Sequence, residues 1–206
     1  MSAVLTAYAP WAVAGAAITG VMLVVLDDRR WLTIALVAQY LAAGWLVADT
    51  LGLAVAGAQI LGGLLVAIIV WLTWRNLEAA DQAVPRANDL MALRSFRWVV
   101  VLLVLFAGWG LGRRDWMGLP GLTSAAVFGA TFLMLLGLVQ ASLYRAPMRV
   151  VIGVLSLLSG FGIAYAAVES SLAVIALLII VHLGLALAGS YLTILQAAPS
   201  ERGVEG

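Results

Sequence analysis

The chain contains no cysteine and no lysine, has a single histidine, His182, and only 10% of its 206 residues are charged. Each shortage excludes something. Without cysteine there are no disulfides, no thiolate metal sites and no cysteine-ligated iron–sulfur clusters. One histidine cannot build a multi-histidine metal or haem site within this chain. Without lysine there is no amine for a Schiff base, so a retinal-binding protein is excluded. A soluble domain carries about a quarter charged residues, so the shortage of charge points away from water. The net charge of +1 comes with no basic stripe or low-complexity tail, and no nucleic-acid partner is expected.

What is present is hydrocarbon: 65% hydrophobic residues and a mean hydropathy of +1.11. Seven apolar spans can be cut out, at Leu5–Leu26, Trp31–Ala48, Leu51–Trp74, Trp98–Gly112, Gly121–Tyr144, Val150–Ala167 and Leu172–Leu195. None holds Asp, Glu, Lys or Arg. A charge at the centre of a membrane helix costs about 2.5–3.5 kcal/mol on insertion scales, so this partition marks the spans. Strands do not fit, because an open sheet in lipid leaves backbone groups unpaired and the runs exceed barrel-strand length. The expected fold class is all-α integral membrane, with seven transmembrane helices. The fourth span is short, about 15 residues or about 22 Å as a helix, against about 30 Å of hydrocarbon.

Arginine sets the expected orientation. With the N-terminus outside, the inside segments hold Arg29, Arg30, Arg75, Arg86, Arg94, Arg97, Arg145, Arg149 and Arg202, and the outside holds only Arg113 and Arg114. Nine against two predicts N-out and C-in, in the inner (plasma) membrane. The N-terminus lacks the basic region of a signal peptide and reads as a retained first helix.

Span lengths and turns repeat. A long helix, a basic inside turn ("DDRR"), a shorter helix, a tight outside turn ("ADTL") and a long helix are followed by the same order around "RAPMR" and "VESS". "AVAGA" (Ala12–Ala16) and "AVFGA" (Ala126–Ala130) open the two units. Two three-helix units joined by one crossing helix must point the same way, which makes a parallel repeat. The expected organisation is a first unit over 1–74, an inside loop over 75–97 with room for a surface helix, a linking helix and outside loop over 98–120, a second unit over 121–196, and a disordered tail over 197–206.

Few residues could carry chemistry. Gln39, Gln59 and His182 fall within the spans, where polar side chains usually face the bundle and hydrogen-bond across it. A glutamine cannot exchange protons in the physiological range. His182 can, and a relay role is weighed against a satisfied structural imidazole. Thr33, Ser142, Ser156 and Ser159 are uninformative, since such hydroxyls often bond back to their own helix. Asp27 and Asp28 beside Arg29 and Arg30 read as a surface ion cluster. Small residues recur at helical spacing at Ala12, Ala16 and Gly20, at Gly160 and Ala164, and at Gly184 and Ala188. These faces predict close helix packing, within the chain or against other subunits. No nucleophile–base pair, phosphate loop or carboxylate pair is visible, so no catalytic site and no cofactor are expected.

The stretch from "DDRR" through "AQYL" around Gln39 to "GLLVAIIVWLTWRN" (Gly63–Asn76) resembles the three-helix K (or 4L) subunit of respiratory complex I. More closely it is similar to component E of hydrogenase-4-type membrane complexes, as is "RVVIGVLSLLSGFGIAYAAV" with Gly153 and Gly160 in register. The likeness runs over about residues 5–196 through short apolar motifs. It implies a membrane subunit bridging antiporter-like subunits in a proton-translocating oxidoreductase, without an active site of its own. It also implies that the family's membrane glutamates fall near Gln39 and Gln59, and that its later acidic positions are taken by Leu158 or a neighbour and by His182. Gln39 then keeps a polar contact and gives up proton transfer. A competing expectation is a small transporter with the 3 + 1 + 3 architecture of sugar-exporting SWEET proteins. Against it, the chain lacks their Pro-Gln pairs, and its five prolines are expected at or near span ends.

Overall fold

The computed structural model describes residues 2–78, 94–113, 123–166 and 171–197. Seven α-helices occupy them: α1 Ser2–Val25, α2 Arg29–Leu51, α3 Leu53–Glu78, α4 Arg94–Gly112, α5 Ser124–Leu143, α6 Pro147–Tyr165 and α7 Leu172–Ala197. All seven are long and apolar enough to cross a membrane, and no strand occurs among the described residues.

Local chemistry sets the helix ends. Asp28 caps α2 by accepting the Arg30 amide at 2.9 Å, and Thr123 caps α5 by accepting the Ala126 amide at 3.2 Å. Pro147 begins α6, where its missing N–H costs nothing. Between α2 and α3 stands one residue, Gly52, at φ +90°, a region that side-chain-bearing residues rarely enter.

Several boundaries differ from expectation. The turn between α2 and α3 is not "ADTL": Asp49 and Thr50 are helical and the chain reverses at Gly52. The fourth helix has 19 residues rather than 15, because Arg94–Arg97 join it. It is about 28 Å long at 1.5 Å per residue, which removes most of the shortfall. Charge marked the hydrocarbon boundary, but helices continue beyond it because arginine side chains can extend to the headgroups. The loop before α4, with its suggested surface helix, lies outside the described residues over 79–93, as do the loop over 114–122, most of the "VESS" turn (167–170) and the tail from 198. Pro10 is not at a helix end but inside α1.

Packing follows small residues. Helix α1 lies against α2 and α5, α3 against α2 and α7, and α6 against α5, α7 and, more lightly, α2; α4 sits outside, on α5 and α1. The tightest pair is α5 with α6. A Cβ on Gly137 would strike the backbone of Gly153 and Leu157, and one on Gly160 would lie 2.7 Å from the Ala130 carbonyl. Lipid is as apolar as leucine, so helix association depends on such close approach. One core cluster gathers Leu23, Leu36, Val70, Ile152 and Leu155, and another gathers Ala16, Leu46, Ala130, Leu133 and Ile163. Each joins helices from before and after α4.

Candidate functional site

The three predicted polar residues part company. Gln39 is fully buried (0% exposed). Its amide nitrogen donates to Ser156 Oγ at 3.0 Å, and that hydroxyl is 3.3 Å from Gln39 Oε1. The side chain is a strut between α2 and α6. Ser156 is therefore not bonded back to its own helix, whereas Ser159 and Ser142 are, to Leu155 and Leu138 at 2.8 and 2.9 Å. A similar strut links α3 and α7: Thr73 Oγ1 donates to Ser190 Oγ at 2.7 Å. Sequence reading passed over this pair because nothing local separates it from other membrane hydroxyls.

Gln59 and His182 instead line a cavity of about 270 Å³ among α2, α3, α6 and α7. It runs from Leu51 and Tyr165, at the end where α2 and α6 stop, inward to Tyr40 and His182. The Gln59 amide nitrogen turns toward Gly162 of α6 and, unlike that of Gln39, is not tied to another described helix by a hydrogen bond. His182 Nδ1 lies 2.8 Å from the Leu178 carbonyl. A carbonyl only accepts, so Nδ1 carries a proton. The Tyr40 ring meets the imidazole edge-on, with centroids 6.0 Å apart. Gly63 makes room for Tyr40, since a Cβ there would collide with its ring. The Tyr40 hydroxyl is sealed from solvent, on the side of Ser159 of α6. The Gln59 amide, the His182 imidazole and the Tyr165 phenol thus stand among the apolar side chains that line this space. They can hold the polar part of a small molecule. Among the described residues, no carboxylate joins them in the lining.

A second constellation was missed from sequence. Asp27 and Asp28 are not one surface ion cluster with Arg29 and Arg30. Asp28 is the α2 cap. Asp27, 62% exposed, is shared by Arg97 at 2.6 Å and Arg149 at 3.2 Å. Arg97 is buried, at 5% exposure, and also donates to the Val25 carbonyl and to the Tyr144 hydroxyl. Arg149 donates to the Leu23 carbonyl at 3.4 Å and stacks over the Tyr144 ring at 4.7 Å. Tyr144 in turn donates to the Val24 carbonyl. Burial raises the Tyr144 phenol above its ordinary range against the opposing pull of Arg149 and Arg97, so it stays protonated as a donor. The last carbonyls of α1, which have no partner within the helix, are thus capped by two guanidinium groups at the negative end of its dipole. The end of α1, the start of α4, the end of α5 and the start of α6 are gathered at one face of the bundle.

Of the small-residue stripes, Ala16 and Gly20 are buried, as are Gly160 and Ala164, whereas Gly184 and Ala188 lie exposed on α7. A Cβ on Gly184 would meet nothing within 4 Å. No three metal-ligating side chains cluster among the described residues. No protein-family model matches the chain, and no curated protein or solved structure matches it either.

Proposed function

We propose that this chain is a non-catalytic membrane subunit of a complex-I-like proton-translocating oxidoreductase or membrane-bound hydrogenase. It bridges larger antiporter-like subunits, with its N-terminus outside. The observation that carries the reading is the open small-residue face of α7: Gly184 and Ala188 are exposed, and among the described residues none lies within 4 Å of where a Gly184 Cβ would be, which leaves the face open to close backbone approach. The resemblance in the α2–α3 region supplies the kind of assembly. The fate of Gln39 fits it, since a position where the resemblance implies a carboxylate is occupied by a sealed, neutral strut.

The proposed architecture is two like-oriented triplets, α1–α3 and α5–α7, with α4 as the crossing helix. Three contacts support it, each between residues 117 apart: Gln39 with Ser156, Thr73 with Ser190, and Gly62 against Ile179 (179 − 62 = 117). Residues near an internal twofold axis would meet their own equivalents in this way. The helix ends keep nearly the same offset: α1 and α5 end at Val25 and Leu143 (143 − 25 = 118), and α2 and α6 begin at Arg29 and Pro147 (147 − 29 = 118). The "AVAGA" and "AVFGA" segments are 114 apart (126 − 12), close to one helical turn off this register, so they do not align the units.

The cavity favours a second reading, a small transporter of SWEET-like architecture, because Gln59 and His182 line it at depth. Purification in mild detergent from native membranes separates the two. The subunit reading expects elution in a large complex whose other members, identified by mass spectrometry, include antiporter-like membrane subunits, and Gly184→Leu should release the chain from it. A stable monomer from native membranes, or solute uptake by vesicles holding this chain alone, would overturn the subunit reading.

A further inference from the structure

At the end of the bundle where α2 begins and α3 stops lies a separate recess of about 300 Å³. Arg29, Arg30, Thr33, Trp71, Trp74 and Arg75 wall it. Three guanidinium groups in one recess are a strong electrostatic feature in a chain with eleven cationic side chains. Their setting is specific. Arg29 and Arg30 open α2 at the positive end of its dipole, where the Arg30 backbone N–H is already taken by the Asp28 cap, so an anion would meet chiefly the side chains. Arg75 lies over the Trp71 ring at 5.3 Å, which restrains its planar group. Trp74 is buried, whereas Trp71 and the nearby Ile34 and Leu72 are exposed apolar surface on the two helices that form the recess. The recess is thus cationic at the bundle end and bordered by hydrocarbon-loving side chains on the other side.

We propose that this recess binds the phosphate of an anionic phospholipid, with Arg30 and Arg75 gripping the headgroup and Trp71 lying beside the upper acyl chains. Guanidinium presents parallel N–H donors that match two phosphate oxygens. Basic pockets between membrane helices suit anionic headgroups, and tryptophan settles at headgroup depth. A free phosphate ion would use the arginines but gain nothing from the exposed apolar border, so the lipid is the better fit. The inference does not depend on the parent assembly.

The test uses the full chain in neutral detergent, titrated with phosphatidylglycerol or with phosphatidylcholine of the same acyl chains and read by native mass spectrometry. The wild type should retain one phosphatidylglycerol at concentrations where phosphatidylcholine is lost. Arg30→Gln and Arg75→Gln should each weaken retention by about tenfold, the scale of one lost charge-assisted contact. Arg75→Lys should fall between. Arg145→Gln, near the same end but outside the recess, should match the wild type. Equal retention of the two lipids would overturn the proposal. So would wild-type retention by Arg75→Gln, with circular dichroism and elution volume showing it folded. Displacement of the lipid by millimolar inorganic phosphate would reassign the recess to a soluble anion and reject the lipid. If one glutamine variant fails to fold, the lysine variant and the lipid comparison still decide.

Discussion

Polar residues in this protein work mostly as fasteners. Gln39 and Ser156 are a mutual pair, so their contribution is best read as a coupling. In a double-mutant cycle of Gln39→Leu and Ser156→Ala, unfolding in mixed micelles should give an interaction of about 0.6 kcal/mol, with about 1.7 as the ceiling for membrane hydrogen bonds. A coupling of zero would mean the two helices do not meet there. Asp27 and Asp28 should separate cleanly despite being neighbours. Asp28→Ala removes a cap, worth about 1 kcal/mol. Asp27→Asn removes a carboxylate charge from beside the buried Arg97. Because Asp27 is largely exposed, solvent and salt screen it, and the expected cost is about 1–2 kcal/mol, smaller in 1 M salt. Thermal melts at two ionic strengths check this: Asp28→Ala should show little salt dependence and Asp27→Asn a clear one. The sequence revealed which residues were polar at depth. It did not reveal that Gln39 is consumed in a strut while Gln59 and His182 line a cavity, because that choice depends on which helix lies opposite.

At the scale of helices, glycine marks the difference between an internal seam and an outer face. Gly137 and Gly153 let α5 and α6 approach until backbones touch. Gly137→Ala or Gly153→Ala must push the helices apart and should cost about 1–3 kcal/mol, as overpacked interiors do. Gly184→Ala, with open space around it, should instead leave stability unchanged or raise it by up to about 1 kcal/mol through helix propensity. Unfolding of the three variants in the same detergent would check the contrast, and equal effects would place α7 wrongly. Gly184 was visible as a member of a small-residue stripe and Gly153 through the resemblance, whereas Gly137 was not singled out. Spacing alone could not rank them, since a stripe on a helix specifies a close contact but not the partner.

For the whole molecule, the decisive quantity is which ends share a side of the membrane. Sharing of Asp27 by Arg97 and Arg149 ties the start of α4 to the start of α6, and in the proposed arrangement α4 then carries the chain to the other side. The absence of cysteine makes this testable without background. Single cysteines at Arg145 and Arg113 should react with an impermeant maleimide from opposite sides of sealed vesicles, Arg113→Cys from outside the cell and Arg145→Cys from within. Labelling of both from one side would remove the crossing helix and the two-triplet arrangement together.

Hydropathy and the placement of eleven arginines were enough to determine that the protein is a set of seven membrane helices and roughly where each one lies. The reason is energetic: in hydrocarbon, backbone satisfaction and charge exclusion act on each segment alone, so they can be read one segment at a time. The arginine-capped end of α1, the cavity at His182, the struts between residues 117 apart and the uncovered face of α7 were decided only in three dimensions. They depend on pairings between helices distant in sequence, and in a chain built from near-uniform apolar runs those pairings are selected by small residues and a few hydrogen bonds rather than by any local signal.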